Sequence, residues 1–592
     1  MSEEDLIRNL KKYFGYDTFR KGQGEIINEI MQGRDALAIL PTGGGKSICY
    51  QLPALMKDGL ALVISPLISL MKDQVDALKE AGIRAGFINS SLSAKAYKKV
   101  LSDIKKASIK LLYIAPERLE NEFFKDFLRD IPISFIAVDE AHCISQWGHD
   151  FRPSYTLIPK FIEDLGRDIQ LTAFTATATK EVARDIIKNL GLKDPLVKIT
   201  GFDRENLYFA IKKVKNKMDY LISYLKEHMD DSGIIYAATR KRVESIYKGL
   251  KKAGFDPLIY HAGLDENLRR KDQEDFIYDK KKIIVATNAF GMGIDKSNVR
   301  FVIHYNTPKD MESYYQEAGR AGRDGEESDC ILLYSAQDII INKHLINLSD
   351  NYDFKLRQLD KLQVMINYTN TSTCLRSFIL GYFGQDFKKP CNKCSNCLSS
   401  IEKVDVSIDS QKVLSAIFRL KQAYGFGILI DSLKGAKNVN IKKRGLDKLS
   451  TYGIMKDDDK AYIKELVGKL IADGYIRVSS NPYPILKLTQ KSKEVLFDKK
   501  KVYLDIKREE GQRKEDQTFD KDLFAYLKKI RLDLSRKRNV PPFIIFSDKT
   551  LKEMARLRPK NEEEMLMVKG VGERKLIQYG DIFLAELREY KG

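Results

Sequence analysis

The sequence predicts a multidomain α/β protein: two parallel-sheet lobes come first, and smaller modules follow. Three observations carry this. Short apolar runs alternate with amphipathic stretches over residues 1 to about 200, the rhythm of a parallel sheet with helices on both faces. The same rhythm returns over 205 to about 345. A chain of 592 residues also exceeds what one core organises, so its length implies on the order of three to five domains.

Composition narrows the class. Hydrophobic residues make up 43% and charged residues 31%, as in a globular protein. The start, Met1-Ser2-Glu3-Glu4-Asp5, is acidic where a signal peptide is basic, and no apolar run is long enough to span a bilayer, so a cytoplasmic protein without membrane contact is expected. Of the net charge of +19, residues 401–592 carry +13 and residues 1–400 carry +6. A basic last third points to a nucleic-acid partner through phosphate neutralisation.

In the first lobe the apolar runs are Ala36–Ile39, Leu60–Ile64, Leu111–Ile114, Phe135–Val138 and Gln170–Phe174. The first leads into Leu40-Pro41-Thr42-Gly43-Gly44-Gly45-Lys46-Ser47, and Ile48–Leu52 after it reads as a helix. This is a phosphate cradle. Thr42 and the three glycines let backbone N–H groups face a polyphosphate at a helix N-terminus, Lys46 reaches the β- and γ-phosphates, and the Ser47 hydroxyl is a magnesium ligand. Leu40 stands where the pattern usually has its first glycine.

Open parallel sheets place ligands at the carboxyl ends of their strands. Directly after Phe135–Val138 come Asp139, a candidate magnesium ligand, and Glu140, which can orient or deprotonate an attacking water. Upstream, Gln23 can pair with an adenine edge, while Tyr16 and Arg20 offer planes that stack on a base.

The second lobe has the runs Gly233–Ala237, Pro257–Tyr260, Lys282–Ala286 and Phe301–His304, and no phosphate loop of its own. It carries Gln316-Glu317-Ala318-Gly319-Arg320-Ala321-Gly322-Arg323. Arg320 and Arg323, three apart among small residues, share a helical face or its terminal turn. They can present guanidinium groups to a γ-phosphate held by the other lobe.

Of seven cysteines, Cys374, Cys391, Cys394 and Cys397 cluster, and their spacing fits four thiolates around one tetrahedral zinc ion with a structural role. Cys143-Ile144-Ser145-Gln146-Trp147-Gly148-His149-Asp150-Phe151-Arg152-Pro153 contains the only tryptophan, in a setting without apolar periodicity that reads as a loop. Trp147 and Phe151 can stack on unpaired bases at ~1–3 kcal/mol each, nearly blind to base identity.

With these pieces in order, the chain resembles the RecQ family of superfamily 2 helicases over nearly its full length. Ser65–Gln74, Ala115–Arg118 and Thr172–Thr177 look like the family's motifs Ia, Ib and III. Tyr236–Arg240 and Ala286–Asp295 look like motifs IV and V, and Cys143–Pro153 looks like its aromatic-rich loop. The resemblance implies two RecA-like lobes over 1–204 and 205–345, a zinc-binding helical subdomain over 346–405 and a winged helix over 406–497. A small all-α HRDC module over 519–592 completes it; before it, residues 498–518 are mostly polar and charged, with one apolar patch, Val502–Ile506, too short to set a period, and read as a linker. In the winged helix, helical patterns over Ser410–Gln422 and Ala461–Asp473 precede two strands, Tyr475–Val478 and Ile485–Leu488, joined by a short wing that contains Tyr483. Lys442-Lys443-Arg444 is a candidate backbone contact. In the last module, Arg531, Arg536, Lys537 and Arg538 are expected to bind strands, and Gly570-Val571-Gly572 either approaches a phosphate or is a packing turn.

The implied activity is ATP-dependent unwinding of duplex DNA by 3′ to 5′ movement on one strand, in recombination and repair, with ATP, Mg2+ and Zn2+ as cofactors. Gln316, Arg320 and Arg323 would complete the ATP site, and Arg152 would connect the aromatic loop to it. A monomer is expected, associated with the nucleoid of a bacterial cytoplasm, with single-stranded DNA-binding protein and other repair proteins as partners.

Overall fold

The computed structural model describes residues 2–590 apart from 67, 90–91, 146, 149, 292–295, 388, 438, 480–484, 499 and 509–518. Gln146, His149, Met292 to Asp295 of the motif V stretch, the wing tip with Tyr483 and most of the expected linker lie outside the described residues. The chain divides into two compact units, one of residues 1–362, 379–388 and 514–592, the other of residues 363–378 and 389–513.

The first unit holds both lobes. Lobe 1 is a seven-stranded sheet of β1 (Ala36–Ile39), β2 (Leu60–Ile64), β3 (Ala85–Ile88), β4 (Leu111–Ile114), β5 (Ile133–Val138), β6 (Leu171–Thr175) and β7 (Leu196–Ile199). Its order is β3-β4-β2-β5-β6-β1-β7, and every pairing is parallel. β1, β2, β4 and β6 are buried along their whole length; the first three read as unbroken apolar runs, while β6 buries Thr172 and Thr175 within its run. The order puts β6 between β1 and β5, so the segments after these three strands converge at one sheet end.

Lobe 2 is a six-stranded parallel sheet of β8 (Leu207–Lys212), β9 (Ser232–Tyr236), β10 (Leu258–Tyr260), β11 (Ile283–Ala286), β12 (Val299–His304) and β13 (Ser328–Leu333), ordered β10-β11-β9-β12-β13-β8. The two RecA-like lobes are present as expected.

The C-terminal module belongs to the same unit. Its helices Lys521–Arg538, Asp548–Leu557 and Asp581–Glu589 enclose a core that includes Leu527, Phe546, Leu551, Met554 and Phe583. It packs on both lobes. Tyr579 donates to Glu80 at 3.2 Å and Lys11 to the Leu566 carbonyl at 3.3 Å in lobe 1, while Tyr278 of lobe 2 donates to the Asn539 carbonyl at 3.3 Å. The Gly-Val-Gly segment is a packing turn, because a Cβ on Gly572 would stand 3.2 Å from the Cα of Gly15. Arg531 is corrected as a strand contact: it is 2% exposed and spends its guanidinium on Asp548 and the Phe546 carbonyl.

The second unit contains the winged helix. Helices Ser407–Arg419, Phe426–Leu433 and Lys460–Ala472 pack Val413, Leu414, Leu429, Leu433, Ile463 and Leu466 into one core. Between the last two lies the short helix Val439–Lys443, where Lys442 and Lys443 are exposed. Part of the expected linker over 498–518 is strand. β14 (Ser400–Asp405) pairs antiparallel with β17 (Tyr503–Arg508), so the apolar patch Val502–Ile506 enters a strand. The wing strands are β15 (Ile476–Ser479) and β16 (Ile485–Leu488), also antiparallel.

Candidate functional site

The phosphate loop leaves β1 and ends at the N-terminus of the helix Lys46–Met56. Gly43 (φ 76°) and Gly45 (φ 78°) take left-handed conformations that turn the backbone inward, and a side chain on Gly45 would collide with the Gln23 amide. Leu40 directly follows β1: it is buried and donates its N–H to the Thr175 carbonyl at 3.0 Å, so a side chain is accommodated there by the core. The Lys46 ammonium lies 3.5 Å from the Leu40 carbonyl, folded over the loop.

Gln23 sits on the same loop. Its Nε2 donates to the carbonyls of Gly44 (3.3 Å) and Gly45 (3.0 Å), and its Oε1 accepts from the Arg20 N–H at 2.8 Å. Arg20 in turn donates to the Gly43 carbonyl. The expected adenine-side residues are therefore bound to the phosphate loop itself, while the ring of Tyr16 is 40% exposed.

Asp139 follows β5 and is buried, and its Oδ1 accepts from the N–H of Glu140 at 2.9 Å. Glu140 has φ 47°, a left-handed conformation costly for a residue with a side chain, of the kind found where surrounding structure over-determines a functional position. Its Oε2 lies 3.3 Å from His142 Nδ1, which is 2.9 Å from the Thr175 hydroxyl at the end of β6. The segments after β5 and β6 are thus linked side chain to side chain.

Arg320 and Arg323 lie in the turn after the helix Met311–Ala318, not on the helix. Arg320 is buried and donates to the Gly291 carbonyl, and half-buried Gln316 is on the last turn of that helix. The turn faces the phosphate loop: a Cβ on Gly43 would stand 3.4 Å from the Arg323 Cα, and one on Gly319 3.1 Å from the Thr42 Cβ. Arg204 holds the two segments together. It donates to the carbonyls of Thr42, Ala321 (3.1 Å) and Gly322 (2.7 Å). Burial lowers its pKa from the ordinary arginine value. Sequence reading missed it, because its partners are backbone carbonyls of two distant segments.

The aromatic loop begins beside the two acids. Trp147 is 47% and Phe151 37% exposed. The Trp147 N–H donates to Ser145, whose hydroxyl donates to Asp185 at 2.8 Å. Arg152 pairs with Asp150 at 3.1 Å and donates to the Pro66 carbonyl at 2.9 Å. Cys143 of the loop donates its N–H to the Glu140 carbonyl at 2.9 Å, and a further hydrogen bond to this segment comes from Tyr155, which the sequence did not single out. Burial pushes its phenol well up, and the neutral hydroxyl donates to the Asp139 carbonyl at 2.8 Å.

In the second unit the Sγ atoms of Cys374, Cys391, Cys394 and Cys397 lie within 4.8 Å of one another. Backbone N–H groups point at the sulfurs, from Leu375 and Cys394 to Cys394 and Cys391 at 3.4 and 3.2 Å, and from Ser377 to Cys374 at 3.5 Å. Hydrogen bonding from Cys391 pulls the Cys394 thiol down to about 4. Four converging sulfurs with amide donors fit a tetrahedral zinc ion.

Comparison with known proteins agrees with this geometry. Family models match in sequence: DEAD/DEAH box helicase over 20–186, helicase conserved C-terminal domain over 216–325, RecQ zinc-binding over 336–398, RQC domain over 400–513 and HRDC domain over 520–587. A protein described as ATP-dependent DNA helicase RecQ from Bacillus subtilis is 46% identical over 98% of both chains. The chain belongs to the RecQ family. Relatives of the same description from Haemophilus influenzae and Pasteurella multocida are 42% and 40% identical over 98% of this chain, covering 95% and 93% of theirs. The RQC match takes in β14 and β17, the strands that sequence reading assigned elsewhere. Among the described residues of this RecQ-family chain no helix is long and apolar enough to cross a membrane.

Proposed function

We propose that this chain hydrolyses ATP to move 3′ to 5′ along single-stranded DNA and to separate duplexes, in recombination and repair. The observation that carries the reading is the apposition of the phosphate loop and the Arg320–Arg323 turn, bridged by Arg204. A nucleotide bound at Gly43, Gly44, Gly45 and Lys46 would meet both lobes. Ser47 and Asp139 would hold magnesium, which supplies charge neutralisation between the phosphates. Glu140, steered by His142, takes a proton from the attacking water, and Gln316, Arg320 and Arg323 stabilise the charge on the transferring group. Tyr16, Arg20 and Gln23 bind the adenine side, and the grip of Gln23 on the loop makes adenine contact felt at the phosphates.

DNA enters through Trp147, Phe151 and Arg152. Stacking of bases on the loop acts on the acids through Tyr155, so turnover depends on the strand. Cys374, Cys391, Cys394 and Cys397 hold zinc structurally. The protein works as a monomer in the bacterial cytoplasm at the nucleoid, beside single-stranded DNA-binding protein and other repair proteins.

The test is ATPase rate with single-stranded DNA, with RNA and alone, beside Trp147→Ala, followed by unwinding of substrates with 3′ or 5′ tails. DNA stimulation lost in the variant, with unwinding of the 3′-tailed substrate, supports the reading. Stimulation by RNA alone overturns the substrate, and unwinding only from 5′ tails overturns the polarity.

A further inference from the structure

The helix Tyr352–Asn370 places two cations four residues apart, hence on one face, against the aromatic loop. The Arg357 guanidinium lies over the Trp147 ring, 4.9 Å from its centroid. The Lys361 ammonium is 3.1 Å from the Trp147 carbonyl and 2.9 Å from Glu312. Glu312 is buried in the first turn of Met311–Ala318, the helix that runs into Arg320 and Arg323. One helix face therefore touches the ring, the backbone of the same residue and the element leading to the arginines.

A planar guanidinium and an unpaired base want the same thing from an indole, its face. We propose that Arg357 is a positioning residue that competes with the DNA base for Trp147, and that Lys361 passes the exchange to Glu312 in lobe 2. A base that stacks on Trp147 displaces Arg357. The backbone at Trp147 then shifts against Lys361, and the ion pair to Glu312 moves the start of the helix that ends at the arginine turn. This rests on the stacking role proposed for Trp147. It adds a resistance to DNA loading set by Arg357, and a route from strand to arginine turn that bypasses Tyr155.

Trp147 is the only tryptophan in the sequence, so intrinsic emission of the full chain reports on it alone. The probe is a thymidine oligonucleotide, titrated while emission and ATP turnover are followed. Arg357→Ala is expected to raise acrylamide quenching of Trp147 without DNA. It should also lower the oligonucleotide concentration for half-maximal ATPase by roughly two- to five-fold, the range set by an exposed cation–π contact. The direction is diagnostic, because losing a cation that merely touched phosphate would raise that concentration. Lys361→Ala is expected to keep the oligonucleotide-dependent emission change while the maximal stimulated rate falls.

A raised half-maximal concentration in Arg357→Ala overturns the proposal, as does an unchanged one with unchanged quenching. Full stimulation in Lys361→Ala overturns the transmission step. If the oligonucleotide leaves wild-type emission unaltered, the stacking role of Trp147 fails first and the inference falls with it.

Discussion

Glu140 shows how backbone strain and chemistry meet in one residue. Its left-handed backbone sets the carboxylate beside His142, while the preceding residue points its carboxylate back to the Glu140 N–H. The two adjacent carboxylates thereby meet different partners. Glu140→Gln keeps the shape and removes the base of the proposed mechanism, so nucleotide binding should persist while turnover falls about 10²- to 10⁴-fold; fluorescent-nucleotide titration beside phosphate release measures both. Arg204 presents the opposite case, a residue with no chemistry of its own. Its guanidinium serves carbonyls of both lobes, and Arg204→Ala would take this donor from the Thr42 and Ala321 carbonyls at about 1–3 kcal/mol for each buried group left unpaired, while the Gly322 carbonyl keeps the Asn206 amide and the Gly325 N–H. The expected result is a lowered melting temperature and a lowered kcat. Arg204→Lys should rescue little, because an ammonium cannot reproduce the planar fork.

At the scale of elements, the zinc centre joins cysteines on either side of the helix Leu375–Tyr382, and its folding energy is metal-dependent. Treatment with a chelator, or Cys394→Ser, should speed hydrogen exchange in that helix and lower the melting temperature of the second unit. Nucleotide affinity at the phosphate loop should change little, since Lys46 and Gly43 to Gly45 lie in the other unit. What the sequence shows about elements follows from burial. β1, β2 and β4 were legible because both faces are covered and the apolar run is continuous. β3, with Gly86 inside it, and β7, whose residues alternate between half-buried and exposed, are the sheet edges, and neither makes such a run. β17 escaped because its partner β14 is about a hundred residues away, a pairing no local period announces. The cysteine quartet and the phosphate loop were legible because spacing alone encodes their geometry. Arg204, Tyr155 and Lys361 act through backbone atoms that only the fold brings near.

At the scale of the first unit, the C-terminal module is held on lobe 2 by a buried chain of charge. Asp548 pairs with Arg531 of its own module at 2.8 Å and lies 3.7 Å from Arg300 of lobe 2, which also pairs with Asp324, the neighbour of Arg323. Burial alone would raise the Asp548 carboxyl, but Arg531 and then Arg300 outweigh it and hold it well below the usual carboxylate range. The sign follows. A carboxyl with a depressed folded value contributes fully above its unfolded value of about 4, and that contribution is lost only as the pH falls through the lower folded value. Asp548→Asn imposes that loss at neutral pH, leaving the buried Arg531 guanidinium without its carboxylate at about 3–5 kcal/mol, while Arg300 keeps Asp324. Hydrogen exchange over Asp548–Leu557 should accelerate at least about 100-fold at pH 7, and the gap from wild type should persist at pH 5. Wild-type protection that already collapses between pH 6 and 5 would mean that the Asp548 carboxyl titrates above the usual carboxylate range and that the charge chain does not hold the module. Protection in the variant equal to wild type at pH 7 would assign the docking to apolar and backbone contacts such as Gly15 against Gly572.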